Sequence, residues 1–501
     1  MDCIGDRGTE VQEFYRGANV LITGGTGFMG KVLMEKLLRS CPHLNTIYVL
    51  IRSKKGKDPE TRLEDIFSDP LFDKMKDNEP KLRHKVVAIS GDCNLQGMGL
   101  KSLDRSLLME DVTHIFHVAA TVRFDEAMRL AVGINVMGTH NVLELAKEMS
   151  KLKVVIHVST AYCNCHLQEI EEKLYTYSFT HQKVSAIADS VSDKVMEVIT
   201  PYMLEEWPNT YAFTKAVAED LVRDEGVGLP IGVFRPAIVV ATRDEPVCGW
   251  IDNLYGPTGV FVGAGTGLIR TVHIDGDKVA NIVPVDMAVN ALIVSAWEVA
   301  NKPRAQSGDE IPVYNYVSSV QRPLTWEQFM EKSSRHGKKV PPMRGVWCYS
   351  LTLNKHRSLH LLYTFLLHVL PAIIVDGFAA LLGKRPKLLK IYKKINKFIN
   401  VISYFGTREW KFTNKNVQAL WERLNEEDRK MFDFDIGGLD WEKYFYSYGR
   451  GVRVYLLKDE LATVPQAKAK YKRLVLMHQG VKLLVLILVL RLLWTIWSLL
   501  S

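Results

Sequence analysis

Tyr211 and Lys215 stand four residues apart in the segment Tyr211-Ala-Phe-Thr-Lys215. On a helix this spacing stacks both side chains on one face. A free phenol titrates near pH about 10, too high for easy proton exchange at neutral pH, and a neighbouring ammonium lowers that value by favouring the phenolate. The couple therefore predicts a group that protonates, or hydrogen-bonds, an oxygen gaining charge as hydride reaches a carbonyl carbon. The same lysine suits the hydroxyls of a nicotinamide ribose. Ser159 or Thr160, closing the apolar run VVIHVST, offers a second hydrogen bond to that oxygen. Tyr-x-x-x-Lys is common by chance, and its weight here comes from what precedes it.

What precedes it is a glycine turn. The run ANVLIT (18–23) leads into Gly24-Gly25-Thr26-Gly27-Phe28-Met29-Gly30 and then a helical pattern. Gly24 permits a tight turn, Gly27 lets backbone approach a pyrophosphate held on the helix amino terminus, and Gly30 lets helix pack closely on strand. Between a strand and a helix this spacing is a dinucleotide fingerprint. Thr23 to Gly30 are thus expected to bind cofactor. The second apolar run ends in Arg52-Ser53-Lys54-Lys55, where an acidic residue would repel a 2′-phosphate, so Arg52 and Lys54 predict NADP(H) rather than NAD(H). By position, Asp92 is expected near the adenine, His117 to Ala120 (Ala119 among them) along the cofactor, and Pro236 at its nicotinamide end.

The elements that must position these groups are legible. Runs at 18–23, 46–52, 85–92, 114–120, 154–160 and 231–240 are mostly β-branched and apolar on both faces, as parallel strands buried between helix layers are. Helical patterns at 30–40 and 138–149 alternate with them. The fold class expected is α/β, a Rossmann-type doubly wound parallel sheet with a smaller helical carboxy-terminal domain and a carboxy-terminal membrane-anchoring helix. The chain of 501 residues divides into residues 1–345, an NADP(H)-binding catalytic domain, 346–470, a helical domain, and 475–501, an anchor.

That last stretch, VKLLVLILVLRLLWTIWSLL (481–500), is apolar but for Arg491. Twenty helical residues span roughly 30 Å, the thickness of a bilayer core. The arginine costs about 2.5–3.5 kcal/mol, and each Leu, Ile or Val returns about 0.3–0.6, so insertion wins. Lys468, Lys470, Lys472 and Arg473 precede it and place the enzyme body in the cytosol. The amino terminus has no apolar signal region. A second Leu-rich stretch (356–382) contains Pro371 and Asp376, and reads equally as a hairpin, an interfacial dip, a tunnel wall or a span. Basic residues Lys384 to Lys397 follow it. A net charge of +8 with no reading motif excludes a nucleic-acid binder. The seven cysteines are scattered, as reduced thiols are, and Cys163 and Cys165 are expected to be small buried groups.

TGGTGFMG, HVSTAY and YAFTK, in this order and spacing, resemble the extended short-chain dehydrogenase/reductase superfamily. Arg235-Pro236-Ala237, Glu245-Pro246, Gly249-Trp250-Ile251-Asp252-Asn253, Gly256-Pro257 and Val283-Pro284-Val285-Asp286 narrow the resemblance to the alcohol-forming fatty acyl-CoA reductases of insect type, over nearly the whole chain. The resemblance implies NADPH as cofactor, a long-chain fatty acyl-CoA as substrate, and two reductions through an aldehyde to a primary alcohol and free CoA, with Tyr211, Lys215, Ser159 and Thr160 as the catalytic set. Sixteen buried carbons contribute roughly 12 kcal/mol at about 0.8 kcal/mol per methylene, so an apolar tunnel and a membrane partner are expected. The tunnel is assigned to the carboxy-terminal domain and 359–382, and the basic stretch to lipid head groups or CoA phosphates. The endoplasmic reticulum is preferred to the peroxisome, although a tail segment alone fits either. The oligomeric state stays open, with a homodimer one expectation. Two competing readings are a membrane-anchored sterol or hydroxy-lipid dehydrogenase of the same superfamily, and a nucleotide-binding scaffold without turnover.

Overall fold

A computed structural model describes residues 8–54, 56–304, 306 and 310–500, so Lys55 of the basic strand end and residues 1–7 lie outside the described residues. The apolar runs become β1 (Asn19–Thr23), β2 (Thr46–Ile51), β3 (Val86–Ser90), β4 (His114–His117), β5 (Val154–Val158) and β6 (Ile231–Pro236). With β7 (Val313–Tyr316) they form one seven-stranded sheet in the order β7-β6-β5-β4-β1-β2-β3. Every pairing in it is parallel. β1, β5 and β6 are buried at every position, which explains their unbroken apolar character. The order reverses direction at β1 and β4, the switch point where such sheets bind ligands at their carboxyl ends.

Two readings of the sequence are corrected. The run 231–240 is not one strand: the chain leaves the sheet after Pro236, and Ile238–Val240 pairs instead with Ile282–Pro284. The edge strand Val313–Tyr316 (VYNY) carries no continuous apolar run to mark it, because Asn315 interrupts it, although all four residues are buried. Asn315 donates there to the carbonyl of Thr413 at 2.9 Å.

Helix α1 (Phe28–Ser40) follows the glycine turn, α2 (Thr210–Glu225) carries Tyr211 and Lys215, and α3 (Val285–Ala300) packs against α1, β5 and β6. Asn209 caps α2 by accepting from the Ala212 amide at 2.9 Å. Asp286, from the Val283-Pro284-Val285-Asp286 motif, accepts from the backbone N–H groups of Arg243, Asp244 and Glu245 at 2.8, 2.9 and 3.1 Å. That contact pins the Glu245-Pro246 motif. Lys36 then donates to Glu245 at 2.6 Å, and Arg39 bridges the same carboxylate at 2.8 Å. Burial raises the Glu245 carboxyl, but Lys36 and Arg39 more than offset it and hold it down at about 2.

The chain forms two compact units from interleaved stretches. The first holds the residues up to Cys248, Asn281–Leu324 and Glu409–Leu439, and contains the sheet. The second holds Gly249–Ala280, Thr325–Arg408 and the residues from Asp440 onward. In the second, Gly249 of the Gly249-Trp250 motif adopts φ +75, and a Cβ on Gly451 would lie 1.7 Å from the Gly249 carbonyl oxygen. Backbone thus meets backbone where the helix Trp441–Gly451 crosses the turn, and both positions require glycine. The carboxy-terminal helix runs from Val464 to Leu500, with its base tied down by Lys470 donating to the Met343 carbonyl at 2.9 Å.

Candidate active site

The expected site residues of the sheet lie at its carboxyl edge. Thr23 ends β1 and pairs with His117 at the end of β4. His117 pairs with His157 on β5, and Val158 with Phe234 on β6, two residues before Pro236. The turn after β1 behaves as its glycines demand. Gly24 has φ +74, and a Cβ there would lie 2.6 Å from the Ala119 amide nitrogen. A Cβ on Gly30 would lie 2.3 Å from the Gly24 carbonyl oxygen, so helix and turn touch through backbone alone. Gly27 is the residue before α1 and supplies no side-chain cap. The amino terminus of α1 thus has no side chain capping it and turns the positive end of its dipole toward this turn, where an anion is favoured. Thr26 is half-buried beside it and Gly25 is buried against Val49. The loop thus fits a dinucleotide pyrophosphate. Gly30→Val is expected to weaken binding of a reduced nicotinamide dinucleotide at least tenfold, about 1.4 kcal/mol or more, as read by quenching of protein fluorescence, with the thermal transition as the control for folding.

Thr23 is buried and accepts from the Ala119 amide at 3.3 Å while contacting His117 Nδ1 at 2.7 Å. It fixes the Ala119 backbone against Gly24. His117 itself does not line the cofactor edge, because its second nitrogen meets Thr139 Oγ1 at 3.1 Å in the interior. Burial, and secondarily the charge of Lys215, hold His117 down at about 3, so it is a neutral structural group. At the end of β2, Arg52 is exposed and faces Asp92 at 3.5 Å. Lys54 is exposed in a tight turn closed by backbone hydrogen bonds with Lys57. Arg62, which the sequence did not single out, donates to the Arg52 carbonyl and adds a third cation to this edge. Its signal was only a basic residue ten positions downstream on a neighbouring helix.

In the Tyr-Lys couple the structure both supports and corrects the sequence. Tyr211 opens α2 half-buried and stacks on Phe124 with ring centroids 5.7 Å apart. Its hydroxyl lies beside that of Thr160, which is 6% exposed. Of the two candidate hydroxyls it is Thr160, not Ser159, that meets Tyr211. Ser159 Oγ is buried beside the Cys163 thiol with no oxygen or nitrogen partner. The expected lowering of the phenol by the ammonium is not found. Burial pushes Tyr211 up to about 12, the Thr160 hydroxyl acting in the opposite direction. Lys215 instead donates to the Val158 carbonyl at 2.7 Å and is 1% exposed. Burial pulls its ammonium down to about 8, against the attraction of Glu219.

Glu219 is the residue that sequence reading missed. It lies one further turn along the face of Tyr211 and Lys215, and its side chain is wholly buried. Arg235 of β6, equally buried, donates to it through Nε at 2.8 Å and a terminal nitrogen at 2.5 Å. The Cys163 thiol also donates to Glu219, at 3.2 Å. Cys163 is therefore a hydrogen-bonded member of this network, and burial beside Glu219 pushes its thiol well up. Cys165 is buried, as expected. A second missed residue is Asn135, in a π-helical turn (Gly133–Met137). It donates to Thr214 of α2 at 2.9 Å and accepts from the Thr121 amide at 2.9 Å, fastening the loop after β4 to α2.

A reversing parallel sheet, an uncapped glycine turn and a Tyr-Thr hydroxyl pair beside a buried lysine define a nicotinamide-dependent reductase of the Rossmann class. Comparison agrees on the fold. The terminal reductase domain of the myxalamid pathway covers 88% of this chain and 91% of its own, with TM-score 0.57 and 19% identity. A reductase domain of a nonribosomal peptide synthetase from Mycobacterium tuberculosis gives TM-score 0.58 and 21% identity, with 88% and 92% covered. The NAD-binding family described as "Male sterility protein" matches residues 22–292, and a companion family of the same description matches 367–459. Fatty acyl-CoA reductase wat of Drosophila melanogaster is 42% identical over 93% of this chain and 90% of its own length. Human fatty acyl-CoA reductase 1 is 36% identical, with 96% and 93% covered. The chain belongs to the fatty acyl-CoA reductase family and is an oxidoreductase.

Proposed function

We propose that this chain reduces a long-chain fatty acyl-CoA with NADPH to a primary fatty alcohol and free CoA. The observation that carries the reading is the Tyr211–Thr160 hydroxyl pair beside the buried Lys215, on the same sheet edge as the uncapped glycine turn. The relatives' names support the substrate class. Gly24, Gly25, Thr26, Gly27, Phe28, Met29 and Gly30 would hold the pyrophosphate, with Thr23 and Ala119 shaping that turn. Asp92 would face the adenosine. Pro236 and Lys215 would face the nicotinamide riboside, and Arg52, Lys54 and Arg62 the 2′-phosphate.

When bound, the reduced nicotinamide supplies hydride to the acyl carbonyl carbon. Tyr211 and Thr160 donate to the oxygen as it becomes an oxyanion, while Ser159, buried beside Cys163, takes no part in this reading. Reformation of the C=O bond breaks the C–S bond and releases CoA as thiolate. In the second reduction the aldehyde oxygen sits on the same hydroxyls, and Tyr211 passes its proton to the alkoxide. Lys215, held charged at neutral pH, stabilises the phenolate left behind and recruits its replacement proton.

Residues 1–345 carry this chemistry in our reading, 346–470 receive the acyl chain, and 475–501 anchor the enzyme in the endoplasmic reticulum membrane with its body in the cytosol. The helical stretch Leu461–Leu500, a short turn followed by the carboxy-terminal helix, is long and apolar enough to cross a bilayer, and its apolar part is exposed, which supports the anchor. The outward-facing side chains at 359–382 do not form a tunnel wall, so that part of the tunnel assignment is withdrawn.

The test is thiol release from palmitoyl-CoA, followed with NADPH and with NADH. Faster release with NADPH supports the reading, whereas absence of thiol release at every chain length, despite NADPH binding, contradicts it and favours a sterol-type substrate. The double variant Arg52→Glu/Lys54→Glu is expected to cut the NADPH-over-NADH preference in kcat/KM by about tenfold or more, since two cations near a phosphate are replaced by like charges.

A further inference from the structure

The helix that starts at Arg357 and ends at Leu381 is built inside out. Its buried row is His360, Thr364, His368, Ala372 and Asp376, spaced by four, and only Ala372 is apolar. Its outward face carries Leu361, Leu362, Phe365, Ile374, Phe378 and Leu381, exposed by between 51% and 83%. A row spaced by four drifts around a regular α-helix. The wider π turn at Phe365–Val369 takes up that drift and keeps the polar row inward.

Each polar side chain of the row has a partner within the same unit, although the second ring nitrogen of His368, Nδ1, has none. His360 Nδ1 lies 3.2 Å from Thr271 Oγ1, and His368 Nε2 accepts from the Arg270 amide at 3.0 Å. Asp376 accepts from the backbone N–H groups of Lys387, Leu388 and Leu389 at 3.0, 3.0 and 2.9 Å, capping the next helix, Leu388–Gly406. That helix turns back, and its Tyr392 stacks on His368 at 4.8 Å. From Lys384 to Lys397 it and its approach present seven exposed cations, and no acidic residue occurs from 377 to 408.

We infer that residues 357–406 form a monotopic hairpin that seats its apolar face among the acyl chains of one leaflet and its cations on anionic head groups. Length and composition alone would pass the first helix as a span. The polar row locked to Thr271 and Arg270 and the return through Tyr392 argue that it enters and leaves on one side. The cationic border selects an anionic bilayer surface over a second copy of the chain, which would bring like charges together. The inference rests on the membrane reading above, which flotation of the wild-type protein with vesicles checks separately.

The test uses the full chain with Cys3→Ser and Cys248→Ser, the other cysteines being buried, and a fluorophore at Ile374→Cys. The protein is reconstituted in phosphatidylcholine vesicles with and without phosphatidylserine, and NADPH turnover confirms folding. Quenching by a nitroxide high on the lipid chain, protection from aqueous iodide, and an increase with phosphatidylserine are expected. Lys390→Glu/Lys393→Glu/Lys394→Glu is expected to cut the lipid quenching about threefold or more. Three results would overturn the inference. One is free access of iodide in both vesicles. Another is quenching strongest from the bilayer centre and indifferent to phosphatidylserine, which marks a span. The third is protection that follows protein concentration rather than lipid, which marks a second copy.

Discussion

Tyr211→Phe is expected to lower kcat/KM for acyl-CoA reduction by about a hundredfold to ten-thousandfold, the range spanned by positioned general acids. NADPH affinity should hold within about twofold, because the phenol lies at the substrate end of the proposed site. Steady-state kinetics and a cofactor titration on the same preparation measure both. The pH profile sharpens the expectation. The proposed reduction needs a protonated phenol and a charged ammonium. Burial holds the phenol up at about 12, so it keeps its proton throughout the working range. Burial also pulls Lys215 down to about 8, so the ammonium is lost first as pH rises. The wild-type kcat/KM should therefore be level near neutrality and fall about tenfold per pH unit above the lysine's value. A decline starting only in the phenol's range would remove Lys215 from the mechanism.

The second large effect is expected from Glu219→Gln. It leaves Arg235 buried with its charge unpaired, and breaking a buried pair costs about 3–5 kcal/mol. A depressed denaturation midpoint would show this, and a purely structural role would stop there. Glu219 also raises the ammonium of Lys215. The folded enzyme that remains should therefore lose activity at lower pH than the wild type. Arg235→Met removes the other half of the pair and should destabilise similarly, but it leaves the Glu219 attraction on Lys215 in place. Its alkaline limb should not move down. The contrast between the two profiles separates Glu219 as a positioning residue from Glu219 as packing.

The fold and much of the site were legible because their physics is local. A continuous apolar run such as VVIHV can be satisfied only by burial on both faces, and a glycine that must adopt φ +74 announces itself by type. The four-residue spacing of Tyr211 and Lys215 needs only a helix to become a shared face. What escaped depends on partners distant in sequence. Glu219 looks like any helical glutamate until Arg235 is brought across from β6. The strand Val313–Tyr316 is broken by Asn315 in the sequence, and only the fold brings the Thr413 carbonyl to accept from that side chain. The direction of the Tyr211 shift was misread because proximity to Lys215 was weighed and burial was not. Sequence spacing reports the first, whereas only the packed structure reports the second. The Leu-rich segment failed as a tunnel wall for a related reason: its periodicity shows two faces, and only packing shows which one turns inward.

The central claim is a double reduction at one Tyr-Lys site. It is tested most directly by counting NADPH consumed per CoA thiol released during turnover of palmitoyl-CoA by membrane-bound enzyme, with the lipid product identified. The account predicts two NADPH per thiol, hexadecanol as product, and loss of both signals in Tyr211→Phe. One NADPH per thiol with free hexadecanal would contradict the second reduction, and thiol release that survives in Tyr211→Phe would contradict the site itself.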